Sequence, residues 1–130
     1  MKKNVIFLII AVLGLAVGAC DYAFVVPEEL PPVDDGDGNP LVISFADDVL
    51  PIFTSRCASC HKAGGQSPDL TEANAYLGIN NTKYIDLDNP ESSLIYSFVA
   101  PGASTHTHRQ YSAAQAQYVL VWIQQGAKNN

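Results

Sequence analysis

Residues 57–66 read CASCHKAGGQ, and within them Cys57, Cys60 and His61 form a C-x-x-C-H motif. That spacing is the attachment signature of a c-type haem. Two thiols three positions apart lie on one turn and can add to the two vinyl groups along one porphyrin edge. The adjacent imidazole is then held beneath the iron and binds it through one ring nitrogen. The other nitrogen normally donates to a backbone carbonyl, which fixes the tautomer. Pro68, in the loop after the motif, is a candidate for that outer shell.

The motif has rivals. A thioredoxin-like redox pair expects a βαβ context, which this chain lacks. Half of a zinc site would need completion by His106 and His108, but structural zinc pairs usually space their histidines three to five apart. A chance occurrence in a non-haem binding or structural module is the third. An exported chain is where bacteria attach haem to such motifs, and the start of this chain reads as an export signal.

Lys2 and Lys3 precede an apolar run over residues 5–17, of signal-peptide length and short for a membrane span. The run ends in Val17-Gly18-Ala19-Cys20, which resembles a bacterial lipobox, so residues 1–19 are expected to be removed and Cys20 to carry lipid. All three cysteines are then used, one for lipid and two for haem. Residues 20–40 follow as a lipidated cysteine and a linker with four prolines, two glycines and six acids. Such a composition cannot bury a core, and a flexible linker of this length reaches about 25 Å. Without residues 1–19 the chain has five basic residues against thirteen acids, a formal −8. That balance offers no basic footprint for nucleic acid. The expected location is outside the cytoplasm, anchored to a bacterial membrane, with the domain in the periplasm or at the cell surface.

Residues 41–130 form the folded unit, and their periodicity is helical throughout. Ser44 is a candidate N-cap with Asp47 as reciprocal partner, and Phe45, Val49, Ile52 and Phe53 share a face. Pro51 should kink or restart that helix. A second helix is expected over residues 71–78. A third starts at Asn89 and Pro90, with Leu94, Ile95 and Phe98 facing inward. The last starts with the capping box Ser112–Gln115, carries Ala116, Val119, Leu120 and Ile123 as its apolar stripe, and is closed by Gly126. The fold class is therefore all-α. The apolar inventory is thin for a domain this small, and a covalently held porphyrin would supply much of the missing burial. Trp122 is expected in the core, against the first helix or the macrocycle edge.

The stretches FADDVLPIFTSRCASCH, PDLTEANAYL, NPESSLIYSFV and YVLVWIQQGAKNN resemble, in order, the monohaem cytochrome c domains of bacterial lipoproteins, especially those of Bacteroidetes and planctomycetes. The resemblance covers residues 45–130. It implies a cytochrome c-like helical fold around one haem c, with thioether bonds at Cys57 and Cys60 and His61 as proximal iron ligand. The chain departs from the family before the last helix, where many relatives have Met-Pro and this sequence reads GASTHTHRQYS.

Met1 is the only methionine and would leave with the signal. His106 and His108 are the only histidines besides His61, and being two apart they should point in different directions. His106 is the favoured distal ligand and His108 the alternative. A third arrangement leaves both in solvent and the iron open. Closure by histidine implies single-electron transfer with an unidentified redox protein, by a carrier rather than an enzyme. An open iron implies a haem sensor or a peroxidase-like haem protein, with Arg109 available to steer a ligand.

Overall fold

The computed structural model describes residue 34 and residues 37–130. Apart from residue 34 and residues 37–40, the expected signal segment, the lipidation site Cys20 and the linker lie outside the described residues. The described part is helical, with one isolated bridge between Asp34 and Pro40 and no strand. No helix among the described residues is long and apolar enough to cross a membrane.

The first helix starts as a π-helical turn, Phe45–Val49, and continues as α1, Leu50–Arg56. The expected break at Pro51 takes this form. The Leu50 N–H reaches back to Phe45 O, and the next residue is a proline with no N–H to extend the wide register. Ser44 caps the turn by accepting from the Asp47 N–H at 3.1 Å. The reciprocal bond to Ser44 N–H comes from the Asp48 carboxylate at 2.8 Å, one residue later than the sequence suggests. Phe45, Val49, Ile52 and Phe53 are all buried, as their spacing requires.

Helix α2, Ala75–Ile79, begins four residues later than expected. Asp69 takes up the preceding stretch, accepting from the Thr71 N–H and hydroxyl and from the Asn74 amide. Those bonds hold its carboxyl below the ordinary value, the Thr71 hydroxyl most. Gly78 lies inside this helix, and a Cβ there would come within 2.7 Å of Asp69 O. It is needed for close approach, not as a terminator.

The third segment is divided. Pro90–Ser92 forms a 3₁₀ turn, and α3 spans only Leu94–Ser97. Ser93 makes the division: its buried hydroxyl accepts from the Asp86 N–H and donates to Asp86 O. Asn89 makes no side-chain cap; its amide donates to the Ser92 hydroxyl. Ile95 is buried, but Leu94 and Phe98, expected inward, are 37% and 42% exposed.

Helix α4, Ala113–Gln124, has the full capping box between Ser112 and Gln115. Val119 and Ile123 are almost fully buried, worth roughly 2 kcal/mol each. Trp122 packs on Phe45 with ring centroids 5.2 Å apart, and its indole N–H donates to Lys128 O. It joins the first helix rather than the cleft described below. Beyond α4 the chain returns to the first helix, where Asn130 O accepts from Ala46 N–H at 3.0 Å. The Gln125 amide spans Leu41 O and Ile43 N–H on the same side. Core packing between the first helix and α4 leaves the C-terminus of α1 free to present the motif that follows it.

Candidate functional site

The chain leaves α1 at Arg56 and turns at once, with the N–H groups of Cys60 and His61 both donating to Cys57 O at 3.1 and 3.0 Å. This turn brings Cys57, Cys60 and His61 to one end of a cleft of about 350 Å³. The following loop wraps back under the motif. Gln66 N–H donates to Cys60 O and Leu70 N–H to His61 O. A Cβ on Gly65 would collide with the Cys60 carbonyl, so only glycine fits there. The loop delivers the Pro68 carbonyl to His61 Nδ1 at 3.1 Å. Pro68 thus supplies a backbone carbonyl to one ring nitrogen of His61, and Nε2 is left for another partner.

Residues 100–110 form the opposite lip. Gln110 staples this loop, donating to Ala103 O at 2.6 Å and accepting from Gly102 N–H at 3.2 Å. Thr105 adds a hydroxyl bond to Phe98 O at 2.7 Å. His106 sits in the left-handed region at φ 51°. Its Nδ1 is 2.7 Å from Arg109 O, which again leaves Nε2 available. The His61 and His106 ring centroids are 6.0 Å apart, with 35° between their planes. Two imidazoles ligating one metal ion from opposite sides, with bonds of about 2 Å each, place their centroids about 6 Å apart. His108 is exposed, also borders the cleft, and has its ring centroid 4.2 Å from that of His106. Of the two, His106 is the one whose ring meets that of His61.

The walls between the lips are apolar: Leu70, Tyr84, Leu94, Ile95, Phe98 and Tyr111. Leu94 and Phe98 owe their exposure to this cleft. Tyr111 is buried and donates to Ile95 O at 2.8 Å. Burial, and after it the nearby Cys57, pushes the Tyr111 phenol well above 10.0. Burial likewise raises the Cys57 thiol above 9.0, with Arg109 and Arg56 pulling partly the other way. The thiol is held neutral in a place where thioether formation would consume it.

These residues fit a flat apolar cofactor that would be attached at Cys57 and Cys60, since the cleft is largely apolar and holds the imidazoles of His61 and His106. Among the described residues no group of three or more His, Cys, Asp or Glu is placed to hold a metal ion. Sequence reasoning singled out the motif, Pro68, His106 and His108, and all of them line the one cleft. It did not find Gln110, Tyr84 or Tyr111, whose roles depend on loop closure and carry no motif. Compared with family models, curated proteins and solved structures, the chain matches none.

Proposed function

We propose that this chain is a membrane-tethered c-type cytochrome, carrying single electrons through one covalently bound haem. A bound haem c supplies a one-electron ferric/ferrous couple. Cys57 and Cys60 would hold it by thioether bonds, and His61, with Pro68 O fixing its tautomer, and His106 would supply imidazoles to the iron. The observation that carries the reading is the 6.0 Å separation of the His61 and His106 rings in a largely apolar cleft that both thiols also line.

Closure by two imidazoles omits the methionine thioether that raises the potential, so this protein sits below a His/Met relative. It also leaves no coordination position for substrate, which favours outer-sphere exchange with a redox protein. A sensor or peroxidase-like haem needs a free distal group to steer a ligand. Arg109, the side chain expected to do so, has its guanidinium bonded to Arg56 O instead. Lipidation of Cys20 and the acidic linker would hold the domain off the membrane surface while leaving it free to turn toward a partner.

The test is an absorption spectrum of the mature protein, made in a host that attaches haem, oxidised and reduced, with and without carbon monoxide. The expected result is covalently retained pigment and a low-spin, six-coordinate iron that does not take up carbon monoxide at once. His106→Ala opens the site and His108→Ala does not. Colourless protein would defeat the haem, and immediate carbon monoxide binding would defeat the distal histidine.

A further inference from the structure

Helix α1 ends at Arg56, and the last carbonyls of a helix have no partner within it. Here Cys57 N–H and Ala58 N–H both return to Phe53 O, while Cys60 and His61 N–H go to Cys57 O. The Arg56 carbonyl is taken by a residue 53 positions away: Arg109 donates to it from Nη1 at 2.6 Å. A guanidinium is well suited to this place, because the C-terminal end of a helix carries partial negative charge. The contact is reciprocated, with Arg56 Nη2 donating to Gln110 O at 3.4 Å.

The backbone of Arg109 does something different. Its N–H donates to His106 O at 3.1 Å, and its carbonyl accepts from His106 Nδ1–H at 2.7 Å. These two bonds close a short ring around His106, whose φ of 51° is one that a non-glycine residue keeps only when its surroundings hold it. One residue therefore spans both sides of the cleft. Its side chain grips the end of the helix that leads into Cys57, and its carbonyl orients the imidazole facing His61.

We propose that Arg109 is a positioning residue whose guanidinium, by tying the loop to the C-terminus of α1, sets the reach of His106 toward His61, and so decides whether the haem iron is closed or open. This rests on the cytochrome reading. Arg109 is exposed, so the core does not need its side chain. The loop has its own staples at Gln110 and Thr105, which keep it folded when the guanidinium is removed. What is lost is the tie between the loop and the C-terminus of α1.

The experiment compares the haem-loaded wild type with Arg109→Gln, Arg109→Lys, His106→Ala and the double variant Arg109→Gln/His106→Ala. It reads the ferric spin state and the rate of cyanide binding, with the thermal midpoint as a fold control. Loss of one charge-assisted hydrogen bond raises the open fraction about tenfold, so Arg109→Gln becomes mixed-spin and binds cyanide about tenfold faster. Arg109→Lys, which keeps the charge and a donor, falls between Arg109→Gln and the wild type. His106→Ala is fastest, and adding Arg109→Gln to it changes nothing, because the arginine acts through the histidine. A wild-type spin state and cyanide rate in Arg109→Gln would overturn the proposal, as would rates that add in the double variant. Wild-type protein with covalent haem but no distal histidine would overturn it too. Wild-type protein without pigment would overturn the cytochrome reading as well, and the missing colour tells that failure apart.

Discussion

At the scale of single residues, Tyr111 connects the cleft to the core. Its phenol is buried and bonded to Ile95 O, and burial holds it well above 10.0. Because the folded chain keeps this proton more tightly than the unfolded chain, the contribution to stability is complete below pH 10. It is lost as pH rises through the folded value. The thermal midpoint should therefore fall above about pH 10. Tyr111→Phe should flatten that fall, at a cost of about 1–2 kcal/mol at neutral pH from the unpaired Ile95 carbonyl. Parallel alkaline slopes for the two proteins would show that the phenol does not govern the decline. Cys57 shifts in the same direction in the haem-free chain, and a thioether at that position would not titrate.

Among elements, the loop after the motif is the least tolerant of change. Gly64 has φ 75° with open space around its missing side chain, whereas Gly65 lies against the Cys60 carbonyl. Gly64→Ala should cost about 1 kcal/mol of backbone strain. Gly65→Ala must push rigid backbone and should cost about 2–3 kcal/mol. It should also lower the yield of covalently attached haem, because the displaced carbonyl belongs to Cys60. Chemical denaturation and haem-to-protein ratios would check the order; equal effects would mean the loop moves aside freely. Elements also show how far pattern reading goes. The cap at Ser112 and the stripe of α4 were legible because both depend on residues within one or two turns. The division of the third helix at Ser93 was not, since it depends on a hydroxyl meeting Asp86 backbone outside that helix.

For the whole molecule, the first helix, α2 and α4 make a core around Phe45, and a second apolar surface is left lining the cleft. Leu94 and Phe98, at 37% and 42% exposed, lie on it. Because these side chains are already more than half covered, burying the rest is worth about 1 kcal/mol each, and the other partly exposed walls of the cleft add to it. The double substitution Cys57→Ser/Cys60→Ser should therefore lower the thermal midpoint by at least about 10 °C relative to haem-loaded protein. An unchanged midpoint would mean that the helices are self-sufficient and that the cofactor adds nothing to the fold.

Residue type and short-range spacing were enough for the helical class, for the motif at Cys57, Cys60 and His61, and for the count of three histidines. Only long-range packing brings the His106 ring to within 6.0 Å of the His61 ring and makes Leu94 and Phe98 wall a cleft instead of filling a core. It also decided that Arg109 caps a helix 53 residues away. A side chain takes its direction from where its backbone is held, and that depends on partners outside its own turn, from Ser93 on Asp86 to Arg109 on Arg56 O.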